Sequence, residues 1–242
     1  MTVEGGFQFC HPELVSGSIQ RAQTSQNNVK QMKKILMAIP KGRILDELNP
    51  LLESIDIIPE KDFFNESSRK LVFTTNRKNL DVVKVRSFDV ATFVKFGAAD
   101  IGICGSDVLA EFSSPEIFPV LDLGIGKCRL SIAAKKSVEL DLTKRSHIRI
   151  ATKYTAIADK YFSELGIQAE AIKLNGSIEI ASKLNLCDFI LDLVSSGKTL
   201  LENEMVELRK ILDVSSYLTV NRGSFKTSNN EINQLIKIFD EA

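Results

Sequence analysis

Net charge is the first thing this chain lacks: 31 basic residues are balanced by 31 acidic ones over 242 positions. That excludes a broad electrostatic footprint for nucleic acid or for an anionic membrane, so any anion must be met by locally placed Lys, Arg and backbone N–H groups. No apolar run approaches the roughly 18 residues of a membrane-spanning helix. Residues 1–30 also lack the charged-then-apolar order of a secretory signal. The four cysteines, Cys10, Cys104, Cys128 and Cys187, form no CxxC pair and no metal-ligand spacing. Cys104 and Cys187 sit inside apolar runs, as free buried thiols do, and the usage fits a reducing cytoplasm. Histidine is scarce: His11 lies in the polar N-terminal stretch, and His147 follows Lys144 and Arg145 in a charged loop, where a surface imidazole is expected.

What is present begins late. Residues 1–31 are polar and without periodicity, and CHPELVSGSI from Cys10 is similar to the translated palindromic repeats that some bacterial genomes insert into genes. We read residues 1–31 as a disordered extension with no catalytic role. From Met32 the 44% apolar content is enough for one large or two small domains. Strand and helix patterns then alternate, as in an α/β domain with a mostly parallel sheet. Strands are expected at 34–39, 71–75, 80–86, 100–104, 128–134, 148–152 and 168–174. Helices are expected at 44–54, 106–112, 156–165 and 178–184, and from an N-cap at Ser87 to Phe96. A long β-rich run spans 211–220, and a terminal helix covers 229–241 with Ile232, Leu235, Ile236 and Phe239 on one face. The expected architecture is two α/β lobes, 32–126 plus 217–242 and 127–216. Two crossing strands near 122–130 and 213–221 join them, the layout of periplasmic-binding-protein-like (type II) folds. Ligands in such sheets settle at the carboxyl ends of strands, so the strand-end turns should face a cleft between the lobes.

The informative stretch is DFILDLVSSGKTLLEN, residues 188–203. An apolar run, a Ser/Gly turn and a helix-like run over 200–208 describe a strand–loop–helix corner able to hold phosphate. Gly197-Lys198-Thr199 would close a nucleotide-triphosphate loop, but that motif needs glycine where Asp192 stands. A phosphoribosyl-diphosphate loop can use the acids, because a carboxylate accepts from both hydroxyls of a ribose diol. Asp188 and Asp192 lie four apart and so share a strand face. An ordinary strand–turn–helix joint remains the plain alternative. Five cations, Lys41, Arg43, Arg69, Arg86 and Lys153, also fall at strand-end turns, and Arg grips phosphate with two parallel hydrogen bonds.

Longer motifs then carry a resemblance. IPKGRIL at Ile39, SSRKLVF at Ser67, VRSFDVATFVKFGAADIGICGSDVLAE at Val85 and DLGIGKCRL at Asp122 are followed by RIATKY at Arg149, LNGSIEIA at Leu174, the 188–203 stretch and VSSYLTVN at Val214. From Met32 to Ala242 the chain resembles the short form of ATP phosphoribosyltransferase, the enzyme that opens histidine biosynthesis. Two departures are Asn185-Leu186-Cys187-Asp188, where the family usually has Gly-Leu-Ala-Asp, and Lys198, where it often has Thr or Asn.

The resemblance implies transfer of the phosphoribosyl group of phosphoribosyl diphosphate to N1 of the ATP adenine, releasing pyrophosphate, with no nucleophilic side chain. Ser195, Ser196, Gly197, Lys198, Thr199 and Leu200 are then expected to hold the sugar phosphate, and Asp188 and Asp192 the ribose diol. Arg86 and Arg69 should stabilise the leaving pyrophosphate, Lys41 and Lys153 should touch phosphates more weakly, and Glu179 should orient ribose or Mg²⁺. Asp107 reads as a helix-start residue. Mg²⁺ is expected to ride on the substrates, with no protein metal site. The chain stops without a regulatory domain, so a histidyl-tRNA-synthetase-like regulatory subunit is implied, with homodimers inside a cytoplasmic hetero-octamer. A two-lobed solute-binding module and an inactive subunit of the same family are the competing readings. The first lacks an export signal, and intact charged anchors argue against the second.

Overall fold

A computed structural model describes residues 34–65, 67–138 and 146–242; the N-terminal extension and residues 139–145 of the charged loop lie outside the described residues. One mixed sheet contains β1 (Ile35–Pro40), β2 (Val72–Thr74), β3 (Leu80–Val85), β4 (Ile101–Gly105), β5 (Ile117–Asp122) and, far along the chain, β11 (Ser216–Asn221). Its order is β2-β3-β1-β4-β11-β5. The other contains β6 (Cys128–Lys135), β7 (His147–Thr152), β8 (Gln168–Lys173), β9 (Phe189–Val194) and β10 (Met205–Val214), in the order β10-β6-β9-β7-β8. The helices are α1 (Arg43–Ser54), α2 (Ser87–Lys95), α3 (Ser106–Phe112), α4 (Thr155–Glu164), α5 (Ile178–Lys183), α6 (Lys198–Glu202), α7 (Arg222–Thr227) and α8 (Asn229–Asp240).

Strand alternation divides each half into two cores. Ile35, Met37 and Ile39 of β1 pack with Leu48 and Leu52 of α1 and with Ile232, Leu235 and Phe239 of α8. Ala38 turns to the opposite face, against Val90, Ala91 and Val94 of α2. Helices on both faces bury β4 along its whole length. At Gly102 a Cβ would stand 2.6 Å from Val94 and 2.7 Å from Val90, so α2 rests on bare backbone. In the second half Ala158 and Phe162 of α4 cover one face, and Ile178, Ala181 and Leu200 cover the other.

Strand direction is what positions the site. β1, β3 and β4 run parallel, so Lys41, Arg86 and Ser106 leave the first sheet on one edge. β7, β8 and β9 run parallel in the second, releasing Lys153, Leu174 and Ser195 on one edge. The chain crosses between sheets at residues 123–127 and at Ser215, and the crossings are tied together. Leu123 N–H donates to Ser216 O at 2.9 Å and Ser216 N–H to Ile125 O at 3.0 Å. Gly126 adopts φ 65 there, and a Cβ would come within 2.8 Å of Ser216 Oγ.

Several local expectations are corrected. The helix over 200–208 is only the five residues of α6, and β10 starts at Met205, because Leu200 and Met205 both reach the same core and no longer helical face is needed. The β-rich run 211–220 belongs to two strands in different sheets, parted at Ser215. β5 had no strand assigned: its Pro119 lacks an N–H, and the strand tolerates it as a sheet edge with a register irregularity opposite Leu218–Thr219. Ser87 is the first residue of α2, and the N-cap position falls on Arg86, without a side-chain cap.

Candidate active site

The 188–203 stretch forms the corner of β9 and α6, with Gly197 at φ 77 turning the chain. Ser195, Ser196, Gly197, Thr199 and Leu200 line a cavity whose other walls include Asp192, Glu179, Ser131 and Arg43. A central cavity is lined by Phe88, Cys128, Tyr154, Asp107 and Val108, and a third by Arg86, Lys153, Lys173 and Asn175. Arg43 and Leu193 border the first two, and Ser87, Phe88 and Lys153 border the last two, so the three are contiguous. At about 220, 110 and 460 Å³, two of them fall short of the roughly 300 Å³ at which small-molecule sites begin, so a site for two substrates needs them joined.

Asp192 is the acid that reaches this trough. Burial pushes its carboxyl above the ordinary aspartate range, opposed by the Leu193 N–H, which donates at 2.9 Å, and by the Lys153 charge; Glu179 and Asp107 raise it further. Asp188 does not join it: it precedes β9 at the amino end, where its Oδ2 accepts the Arg149 N–H at 2.8 Å. The two acids have the same parity, but four residues at about 3.3 Å each set Asp188 well back from Asp192, before the strand begins. Lys198, on the exposed start of α6, is not among the residues lining the first cavity, although its neighbours are. Arg69 is exposed and lies outside all three cavities. Lys41 is exposed too, but its N–H donates to Val85 O at 2.8 Å, which sets it beside Arg86 at the sheet edge.

Some neighbours had no role assigned from sequence. Arg43 follows Gly42, whose φ of 85 opens α1, and its guanidinium reaches Gly126 O at 3.4 Å and Glu47 at 3.7 Å, bridging α1 to the crossing segment. The Tyr154 hydroxyl donates to Asp107 Oδ2 at 2.7 Å, buried and between the two halves. Burial, with the Asp107 charge, pushes that phenol far up. Asp107 is therefore more than a helix-start residue. One residue-turn away, the Glu111 carboxylate accepts the Ala156 and Ile157 N–H groups at 3.0 Å each, capping α4 from α3. The signal for Arg43 was in the sequence, in the strand-end cluster; Tyr154 and Ser131 drew no assignment there. Among the described residues no group of three or more His, Cys, Asp or Glu could hold a metal ion, and Glu179 and Asp192 are the acids lining the first cavity.

A two-lobed α/β protein with strand-end turns lining contiguous cavities is the class that fold and site define. A substrate-binding protein of an amino-acid ABC transporter shares the fold (TM-score 0.51, 14% identity, 86% of this chain and 96% of that one). A family model described as ATP phosphoribosyltransferase matches residues 86–241. ATP phosphoribosyltransferases of Rhodospirillum rubrum and Sphingopyxis alaskensis are 52% and 51% identical, each over 86% of this chain and 93% of the relative. A solved ATP phosphoribosyl transferase (HisG:HisZ) complex from Thermotoga maritima superposes with a TM-score of 0.73 at 28% identity, covering 86% of this chain and 97% of that one. The chain belongs to the ATP phosphoribosyltransferase family, enzymes of the first step of histidine biosynthesis.

Proposed function

We propose that the trough holds phosphoribosyl diphosphate and ATP end to end, so that N1 of the adenine displaces pyrophosphate from the ribose. The observation that carries this is the continuity of the loop cavity, the apolar central cavity and the cationic cavity through shared residues. In this reading Ser195, Ser196, Gly197, Thr199 and Leu200 hold the sugar phosphate through N–H and hydroxyl groups. α6 has five residues, so its dipole adds little and the loop donors must serve. Asp192 accepts from the ribose hydroxyls. Phe88 and Tyr154, whose ring centroids are 5.3 Å apart, offer the adenine an apolar wall.

The transition state builds negative charge on the departing diphosphate. Arg43, between loop and central cavity, meets that charge; Arg86 and Lys153 hold phosphates in the cationic cavity, with Lys41 flanking them. A role for Arg69 rests on the family resemblance alone. Glu179, the other acid lining the loop cavity, would face a Mg²⁺ carried in on the diphosphate, where the ion would neutralise charge on the leaving group. Everything else asked of the chain is positioning.

The Thermotoga maritima neighbour is a HisG:HisZ complex, which supports a histidyl-tRNA-synthetase-like regulatory subunit here. Homodimers within a hetero-octamer, acting in the cytoplasm, complete the proposal. No helix among the described residues is long and apolar enough to cross a membrane. The test mixes protein, candidate subunit, ATP, phosphoribosyl diphosphate and Mg²⁺ and follows product absorbance. Stoichiometric phosphoribosyl-ATP and pyrophosphate are expected. Ligand binding without turnover would instead favour the solute-binding reading.

A further inference from the structure

Arg129 stands at the start of β6, opposite Val194 of β9 and Asp213 of β10, and so beside the root of the phosphate loop. Its guanidinium is gripped by one carboxylate: Nε donates to Glu207 Oε1 at 2.6 Å and Nη2 to Glu207 Oε2 at 2.5 Å. The fully buried Ser131, which lines the loop cavity, donates to Glu207 Oε1 at 2.8 Å. The remaining arm, Nη1, donates to Ser195 O at 3.1 Å. Paired fork-to-fork, the guanidinium is fixed in plane and direction, which a lone surface arginine is not.

That last contact bears on the loop. In a trans peptide the C=O of one residue and the N–H of the next point in opposite directions. Holding Ser195 O on Arg129 therefore holds the Ser196 N–H pointing away from Arg129. The chain has no cis peptide bond among the described residues, so the relation applies here. Arg129 itself, being neutralised by Glu207 and outside the residues that line the cavity, is not a direct phosphate ligand.

We infer that Arg129, locked by Glu207 and Ser131, is a positioning residue that orients the Ser195–Ser196 peptide so that the loop presents its N–H donors to the sugar phosphate. This rests on the functional reading above, since it assigns how the loop is kept ready rather than what the loop binds. It predicts a selective effect. Removing a hydrogen bond from a charged donor weakens the hold by about ten- to a hundredfold, and the loss should fall on phosphoribosyl diphosphate and not on ATP.

The test uses the full chain with its regulatory subunit and measures KM for each substrate, kcat and thermal midpoint for wild type, Arg129→Met, Arg129→Lys and Glu207→Gln. Expected is a rise of about tenfold or more in KM for phosphoribosyl diphosphate in Arg129→Met. KM for ATP should stay near wild type, Arg129→Lys should recover part of the loss, and Glu207→Gln should shift the same KM in the same direction. If Arg129→Met does not fold, Arg129→Lys and Glu207→Gln carry the test. Equal effects on both substrates, or a lowered thermal midpoint with both KM values unchanged, would overturn the inference alone. A folded wild type that never turns over phosphoribosyl diphosphate would overturn the functional reading, and this inference with it.

Discussion

Two strand-to-helix corners bound the same cavity and are built from different chemistry. At the end of β1, Pro40-Lys41-Gly42-Arg43 turns on a glycine at φ 85 and ψ −152 and delivers cations. At the end of β9, Ser195-Ser196-Gly197-Lys198 turns on a glycine at φ 77 and ψ 0 and delivers backbone donors and small hydroxyls, with Asp192 close behind. Neither helix has a side-chain N-cap hydrogen bond. Neutral donors suit a sugar phosphate that is held unchanged throughout the reaction. Full charges held in place suit a diphosphate whose charge grows as its bond to the ribose breaks. On the proposed reading, the contrast assigns the retained sugar phosphate to the β9 corner and the first cationic contact with the leaving group to the β1 corner.

The largest expected effect breaks the cationic corner. Arg43→Ala should lower kcat by about a hundredfold or more, with a smaller change in KM for phosphoribosyl diphosphate, because charge on the leaving group exists mainly in the transition state. Steady-state kinetics decide it; a raised KM at unchanged kcat would move Arg43 to the binding side.

Next comes the acid of the opposite corner. Asp192→Asn should raise KM for phosphoribosyl diphosphate by about ten- to a hundredfold by leaving ribose hydroxyls with a poorer acceptor. Its pH signature has a definite sign. The ionised carboxylate is the stronger acceptor for both hydroxyls, and burial raises the pKa above the usual 3.8, so kcat/KM should fall with decreasing pH while still above that value. Asp192→Asn should remove that limb of the profile, and an unmoved limb would assign it to another group.

The two hinge glycines sharpen the comparison at lower amplitude. Gly42→Ala and Gly197→Ala should each cost about 1–2 kcal/mol, read as a lower thermal midpoint, since both force an L side chain to positive φ. Space is not the obstacle: a Cβ at Gly42 meets nothing within 4 Å, and one at Gly197 touches only Val194 at 4.0 Å. Of the two, Gly42→Ala should act more on kcat and Gly197→Ala more on KM. The smallest effect belongs to Lys198→Ala, expected within about twofold of wild type, as for an exposed charge.

Much of this was legible in the chain. Periodicity marked β1, β4, β7 and α8, whose apolar faces are continuous, and glycines 97 and 166 stop α2 and α4 in φ near 70. The strand–turn–helix corner at 188–203 was legible because an apolar run followed by Ser-Ser-Gly marks a strand end and its turn. The failures have physical causes. Residues 200–208 have helix-forming composition, but the sheet edge opposite β6 takes 205 onward as strand, a tertiary preference no local window contains. Face-sharing put Asp188 with Asp192 because parity says which side a residue points to and not how far along the strand it sits. Ser131 and Tyr154 gave no signal, because a hydroxyl buried in an apolar stretch reads the same whether it lines a core or a cleft.

The most direct measurement is equilibrium binding of ribose 5-phosphate and of pyrophosphate, separately, to wild type, Arg43→Ala and Asp192→Asn. A division between corners predicts that Asp192→Asn loses ribose 5-phosphate and keeps pyrophosphate, and that Arg43→Ala does the reverse. If both ligands weaken together in the same variant, the two corners are one undivided anion site and the account is contradicted.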